Sequence, residues 1–159
     1  MNKVYIKKVH FIMEILSFVM ILGGIILVIV YASTHPGEMP IHFDLDGNPD
    51  EYGSPWTLVF FPISMLVFNG ILFVCLHFVN PKNWNVGVTV TATNAVYLYS
   101  DTSLMLSLLE LSSGIYTLGF VPASFFARKL LMPISMSWVV LLFVIIILCY
   151  CKLLKDRKK

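Results

Sequence analysis

The sequence has few charged residues for its length. Of its 159 residues, 13% are Asp, Glu, Lys or Arg and 58% are hydrophobic, whereas an average soluble domain has about 25% charged and about 45–50% apolar residues. This composition excludes an ordinary soluble enzyme. The formal net charge of +2 argues against a nucleic-acid partner, because such proteins concentrate Lys and Arg on one face. We therefore expect the lipid bilayer to be the main surroundings of the chain.

Motifs of soluble catalysis are also missing from the sequence. It contains no Gly-Xaa-Ser-Xaa-Gly nucleophile elbow, no His-Glu-Xaa-Xaa-His zinc motif and no glycine-rich phosphate loop, which are the patterns that would bring a nucleophile, a metal or a nucleotide into a site. We expect no enzymatic activity and no cofactor. The chain is expected to act by binding.

Four long stretches of the sequence contain almost no charge. Each is long enough to cross a hydrocarbon core of about 30 Å, for which a helix needs about 20 apolar residues. The predicted spans are about 11–31, 57–79, 104–121 and 131–151. The third contains Glu110, so we expect it to face other helices rather than lipid. The predicted fold class is an all-α polytopic membrane protein with four transmembrane helices in a single domain over residues 1–159.

The distribution of Lys and Arg predicts the orientation of these spans. Three lysines precede the first span, Lys82 lies between the second and third, and five basic residues follow the fourth, while only Arg128 and Lys129 lie on the other side. Basic residues are retained in the cytoplasm. We therefore expect both termini in the cytoplasm, with the spans in the cytoplasmic (inner) membrane. The first apolar run is longer than the 7–15 residues usual for a cleaved signal peptide, so we favour an uncleaved helix.

The connection over residues 80–103 is predicted to be cytoplasmic. Residues 83–100 contain too many Asn and Thr for a lipid-facing span, and their apolar periodicity favours a surface helix. The three cysteines, Cys75, Cys149 and Cys151, all fall near the predicted cytoplasmic ends of spans. Disulfides are rare in that reducing compartment. We expect no disulfide. Cys149, Cys151 and His77 could share a metal, but no paired ligand spacing supports this, so we expect soft apolar side chains and one interfacial histidine.

The predicted external loop, residues 32–56, has a distinctive composition. It contains five acidic residues and no Lys or Arg, and its four prolines and three glycines restrict the backbone. Residues 41–44 alternate apolar and polar side chains, as a short strand does. Residues 46–49 predict a turn, because Gly47 tolerates positive φ and Asp or Asn can bond its own backbone. We therefore expect a compact, folded loop rather than a flexible linker.

One motif in this loop resembles that of a known family. Pro40-Ile41-His42-Phe43 is followed by Gly47, by Asp50 and by Tyr52-Gly53-Ser54. This pattern is similar to a motif in a family of small bacterial membrane proteins of unknown function. The same motif opens SdpI, the membrane immunity protein for a secreted sporulation-delay toxin. SdpI also takes part in signalling. The resemblance implies immunity or signal sensing, with Pro40, Gly47, Tyr52 and Gly53 as structural motif residues.

Two interpretations of the polar loop residues remain open. The candidate ligand-binding side chains are His42, Asp44, Asp46 and Asp50, which supply nitrogen and oxygen donors suited to a cation or a cationic peptide. Alternatively, the acids cap turns and His42 bonds a backbone carbonyl. The spacing does not match a calcium loop, in which Gly is the sixth residue.

Glu110 is the second candidate site. It lies roughly two turns inside the third predicted span, and an ionisable group at that depth indicates either a ligand site or a polar contact between helices. We expect partners among four side chains: Asn69, Ser112, Ser113 and Tyr116. Glu14, nearer the cytoplasmic face, is expected to snorkel or to pair with a neighbouring lysine.

Two functions follow from these candidate sites. The first is an SdpI-like immunity or sensing protein that captures an extracellular toxin, peptide or cation at the acidic loop. The alternative is a small transporter or channel subunit that uses Glu110. The sequence leaves a homo-oligomer open in either case.

Overall fold

Four long helices make up most of the protein. The computed structural model describes residues 5–44, 48–126 and 128–158. The helices are α1 (Lys8–Thr34), α2 (Phe60–His77), α3 (Ala95–Phe126) and α4 (Leu131–Asp156), and a 3-10 turn at Pro55–Val59 leads into α2. All four are long and apolar enough to cross a membrane. The predicted all-α polytopic fold class is confirmed.

A two-stranded hairpin connects α1 to α2. Strand β1 (Met39–Phe43) pairs antiparallel with strand β2 (Pro49–Gly53). The turn closes where the Asp44 amide donates to the Asn48 carbonyl at 2.9 Å. The hairpin is thus folded, and it contains a second strand that the sequence did not indicate. Asp46 and Gly47, to which the predicted turn and part of the candidate site were assigned, lie outside the described residues.

The segment between α2 and α3 differs from its prediction. It forms a 3-10 turn at Pro81–Asn83 and then irregular chain up to α3. The predicted surface helix is wrong for residues 83–94, where side-chain bonds compete with helix formation, while residues 95–100 are helical as the first turns of α3. The Thr91 amide donates to Asn94 Oδ1 at 2.8 Å, and Asn94 Nδ2 donates to the Arg157 carbonyl at 3.1 Å. The second bond places this segment beside the end of α4.

The two described chain ends lie at the same end of the bundle. Tyr5 packs edge-on against Trp84, with ring centroids 5.7 Å apart, and Asn94 reaches Arg157. The hairpin lies at the opposite end, after the last turn of α1. This arrangement agrees with an even number of crossings.

Close packing of α1 against α3 forms the centre of the bundle. The buried face of α1 recurs every three or four residues and comprises His10, Glu14, Ser17, Ile21, Gly24, Val28 and Ala32. A Cβ atom on Gly114 of α3 would lie 2.9 Å from Ser17 Cα, and one on Gly24 would lie 2.6 Å from Thr117 Cγ2. Small residues at these positions let the backbones approach, as in membrane helix pairs.

Helices α2 and α4 present mostly apolar side chains to the outside. Large exposed side chains include Phe60, Val67 and Ile71 on α2, and Val140, Phe143 and Leu148 on α4. Such broad apolar surfaces are unfavourable in water. They are suited to contact with lipid chains.

The α1–α3 contact predicts the effect of adding one methyl group. Gly114→Ala should force the two helices apart and lower the free energy of unfolding in detergent by about 1–3 kcal/mol, the usual cost of overpacking. Gly70→Ala on α2 is the matched control, because no atom lies within 4 Å of its added Cβ. Ala is also the better helix former by roughly 1 kcal/mol. Equal thermal stability of the two variants would show that the α1–α3 contact accommodates the added methyl group and would contradict this prediction.

Candidate functional site

The hairpin lies across the end of the bundle with its two strands in different surroundings. Met39 and Pro40 of β1 are buried, whereas four of the five residues of β2 are exposed. A groove of about 330 Å³ separates β1 from the neighbouring ends of α3 and α4. Its walls include Ile41, Phe43, Phe120, Ser124, Met132 and Ser135, and His42 lies at its edge. The groove is therefore largely apolar with one ionisable side chain.

His42 and Asp50 form an ion pair across the hairpin. His42 Nδ1 lies 2.6 Å from Asp50 Oδ1, and the two side chains are 64% and 46% exposed. His42 thus contacts a carboxylate instead of the expected backbone carbonyl. The hydrogen bond to Asp50, with that residue's negative charge, raises the pKa of His42 above its usual value of 6.5. Because both groups face water, breaking the pair leaves no buried atom unsatisfied.

Asp44 caps the hairpin turn. Its Oδ1 accepts a hydrogen bond from the Asn48 amide at 2.7 Å, and its Oδ2 accepts one from Asn48 Nδ2 at 3.3 Å. This geometry is that of a side-chain-stabilised turn. Asp44 thus stabilises the turn, while His42 and Asp50 form the ion pair.

The motif residues differ in what they do. Pro40 is buried and pairs in register with Tyr52, which is 55% exposed. A Cβ atom on Gly53 would lie 2.7 Å from Ile41 Cδ1. Glycine at position 53 therefore lets the Ile41 side chain lie flat across the hairpin.

A polar network joins three helices near their midpoints. Ser17 Oγ of α1 contacts Asn69 Oδ1 of α2 at 2.8 Å and also donates to the Glu110 carbonyl of α3. Asn69 Nδ2 donates to Ser113 Oγ, and Ser113 Oγ donates to the Glu110 carbonyl at 2.7 Å. Such bonds hold membrane helices together where the hydrophobic effect cannot.

The carboxyl group of Glu110 stands apart from this network. Glu110 is 0% exposed, and neither of its carboxyl oxygens has a hydrogen-bond partner within residues 5–44, 48–126 and 128–158. The four expected partners bond elsewhere: Asn69 and Ser113 as described, Ser112 to the Leu109 carbonyl, and Tyr116 to Ser135. Serines in a helix bond the backbone one turn earlier, which is why they do not reach the carboxyl.

Glu14 is buried and paired, contrary to expectation. It is 1% exposed, and its Oε2 lies 2.8 Å from His77 Nε2 at the end of α2. The prediction that Glu14 snorkels to the surface is therefore wrong, and sequence reasoning missed this pair. The sequence did contain a signal for the burial of Glu14. It lies three residues before Ser17, so both side chains lie on the same face of α1.

Metal coordination has little support in this geometry. Among the residues that the structure describes, no three His, Cys, Asp or Glu side chains come together as a metal site. His77, Cys149 and Cys151 do not form one, since His77 pairs with Glu14.

The exposed ion pair predicts a measurable titration. The pKa of His42, followed by NMR in detergent, should lie above 6.5 and should fall toward 6.5 in Asp50→Asn, because the main cause of the shift is removed. A raised pKa in the folded state means that the pair stabilises the hairpin below pH 6.5 and that this stabilisation is lost as the pH rises through the folded pKa. Glu38→Gln, an acid of the same loop, is the control. An unchanged pKa in Asp50→Asn would contradict the pairing.

Comparison with known proteins gives one partial match. A family described as a domain of unknown function, DUF1648, matches residues 19–66. The matched part runs from the middle of α1 through the hairpin into the first turns of α2. No curated protein and no solved structure matches the chain. The hairpin and its flanking helix ends are thus the part of this membrane protein that is similar to an uncharacterised family.

Proposed function

We propose that this protein acts by binding at its external hairpin, as an SdpI-like immunity or sensing protein for a secreted cationic peptide. The observation that carries the proposal is the exposed His42–Asp50 pair at the edge of an apolar groove. A groove of that kind accepts apolar side chains, while nearby carboxylates attract cations. An amphipathic, positively charged peptide satisfies both surfaces.

The charge of the loop supports a cationic partner. Residues 32–56 contain no Lys or Arg, and the acids Glu38, Asp50 and Glu51 are exposed. An acidic surface raises the local concentration of positively charged ligands and repels anionic ones. The folded hairpin also lowers the cost of ordering a binding loop.

The similarity in sequence also supports a binding role for the hairpin. The family match is centred on the hairpin, and Pro40–Phe43, Asp50, Tyr52 and Gly53 of the motif that resembles the start of SdpI lie on its two strands. If the shared unit is the hairpin and the helix ends that support it, binding there is the simplest common role. The remaining spans would then serve as an anchor and as a route for a signal.

A transporter or channel subunit is the second candidate. The observation that favours it is the fully buried Glu110, whose carboxyl group lies about midway along α3. Ionisable side chains at such depth often bind transported ions or protons. This function would use the bundle interior and would not need the hairpin pair.

Protection from the toxin tests the first proposal. Cells expressing the protein should survive the secreted sporulation-delay toxin. Asp50→Asn combined with Glu51→Gln should lower the highest toxin concentration that the cells survive about tenfold, which corresponds to about 1.4 kcal/mol of binding free energy. Both residues are exposed, so stability in detergent should change by less than about 0.5 kcal/mol.

The control for protection is Glu38→Gln, which removes one loop acid outside the hairpin strands. Full protection by the Asp50 and Glu51 variant would exclude a binding role for β2. A parallel loss of protection and thermal stability would indicate that the hairpin is only a scaffold.

We also propose that both termini lie in the cytoplasm and that the hairpin lies outside the inner membrane. In a background in which all three native cysteines are Ser, Asn48→Cys should react with an impermeant thiol reagent added to intact cells. Lys158→Cys should react only after the cells are opened. Both positions are exposed, so unequal labelling cannot come from burial. Labelling of both positions from outside would exclude this topology.

A further inference from the structure

Two buried carboxyl groups, one on α1 and one on α3, have oxygens without a hydrogen-bond partner among the described residues. Glu110 has no partner for either carboxyl oxygen, and Glu14 Oε1 also lacks one among the described residues. The helices run in the same direction, since Ser17 bonds the Glu110 carbonyl and Gly24, further along α1, meets Thr117. Helical side chains tilt toward the helix N-terminus, which directs the Glu110 carboxyl toward the level of Glu14.

Among the described residues of the neighbouring helices, His77 is the ionisable side chain that contacts this pair. On α2, the titratable residues are Cys75 and His77, and His77 contacts Glu14 at 2.8 Å. The register of α4 is fixed by the Tyr116–Ser135 and Asp101–Lys152 contacts, and no titratable residue lies on α4 between Trp138 and Cys149. On α1, His10 lies a further turn below Glu14. His77 thus contacts the Glu14 carboxyl, while the Glu110 carboxyl has no partner among the described residues.

An ionised and unpartnered carboxylate inside a membrane is strongly disfavoured. A protonated Glu110 avoids that charge and gains a hydrogen to donate. Glu14 Oε1 is a free acceptor on the facing helix. Glu14 Oε2 is already held by His77, so the remaining oxygen is suited to share the Glu110 proton.

We propose that Glu110 and Glu14 form an intramembrane proton-binding site that exchanges its proton with water through His77. The proton resides on the Glu110 carboxyl, passes to the Glu14 carboxylate, and leaves through the His77 imidazole. His77 is 20% exposed, whereas both glutamates are buried. His77 is therefore the point of access for the proton. The proposal depends on neither the hairpin nor a transport function.

Infrared spectroscopy of the full-length protein in lipid nanodiscs tests this site. The wild-type protein should show the carbonyl band of a protonated buried carboxyl at neutral pH, and Glu110→Gln should lose it, because the amide cannot hold the acidic proton. Glu38→Gln, which removes an exposed acid, is the control and should keep the band. Absence of the band in the wild-type protein, or its persistence in Glu110→Gln, would overturn the proposal.

The exchange route through His77 is tested separately, by deuterium exchange followed on the same infrared band. On transfer to deuterated buffer, the band should shift as the proton exchanges, and His77→Gln should slow this exchange by roughly a factor of 100, the scale of losing one proton-transfer group. Unchanged exchange in His77→Gln would overturn the route through His77. Loss of the band on replacing choline chloride by sodium chloride would show that the site takes a metal cation instead. Neither result depends on toxin protection or on transport.

Discussion

Close contact between α1 and α3 is the constraint on which the rest of the bundle depends. Membrane helices gain little from hiding apolar groups from lipid, so they associate through close packing and polar bonds. Ser17 makes both kinds of contact, because its backbone lies against Gly114 and its hydroxyl bonds Asn69 and the Glu110 carbonyl. A larger side chain at either position would separate the helices. Asn69 would then lose its tie to α1, which is one of the bonds that position α2.

At the other end of the bundle, the position of the hairpin also depends on the packing of α1 against α3. Tyr31, in the last turn of α1, stacks on Phe125 of α3 with ring centroids 3.8 Å apart. This contact fixes the point from which the loop leaves α1. Met39 and Pro40 then hold β1 against the bundle, so β2 with Asp50 faces outward. The exposure of the ion pair is thus a consequence of helix packing as well as of hairpin register.

The sequence predicts the features that the membrane and the local backbone dictate. Charge gaps locate the four spans, because a lipid core admits few charges, and the alternation at 41–44 marks the strand that packs on the bundle. Strand β2 gives no such signal, since Pro49 and the acids that follow favour turns and its structure comes from pairing with β1. Helix α3 begins earlier than its apolar pattern suggests, because its first turns pack against Tyr5 and α4 rather than lipid.

Depth in the membrane was predictable for Glu110, but its contacts were not. Serine hydroxyls on α3 satisfy backbone carbonyls of the same helix, a local preference that composition does not reveal. The Glu14–His77 pair joins residues 63 positions apart, and only the antiparallel arrangement of α1 and α2 brings them together. Long-range pairs of this kind follow from helix order and rotation, which one sequence does not specify.

Helix α3 takes part in both candidate sites, which limits how they can influence each other. Phe120 and Ser124 line the groove beneath the hairpin, and Glu110 lies about three turns earlier on the same helix. A ligand at the groove can affect the buried carboxyl only if it favours a different arrangement of α3. If α3 slid along α1 at constant distance, a residue with a Cβ atom would replace Gly114 beside Ser17, where such an atom would lie too close to the Ser17 backbone. Coupling between the sites would therefore require the two helices to separate first, which breaks the polar network that holds α2.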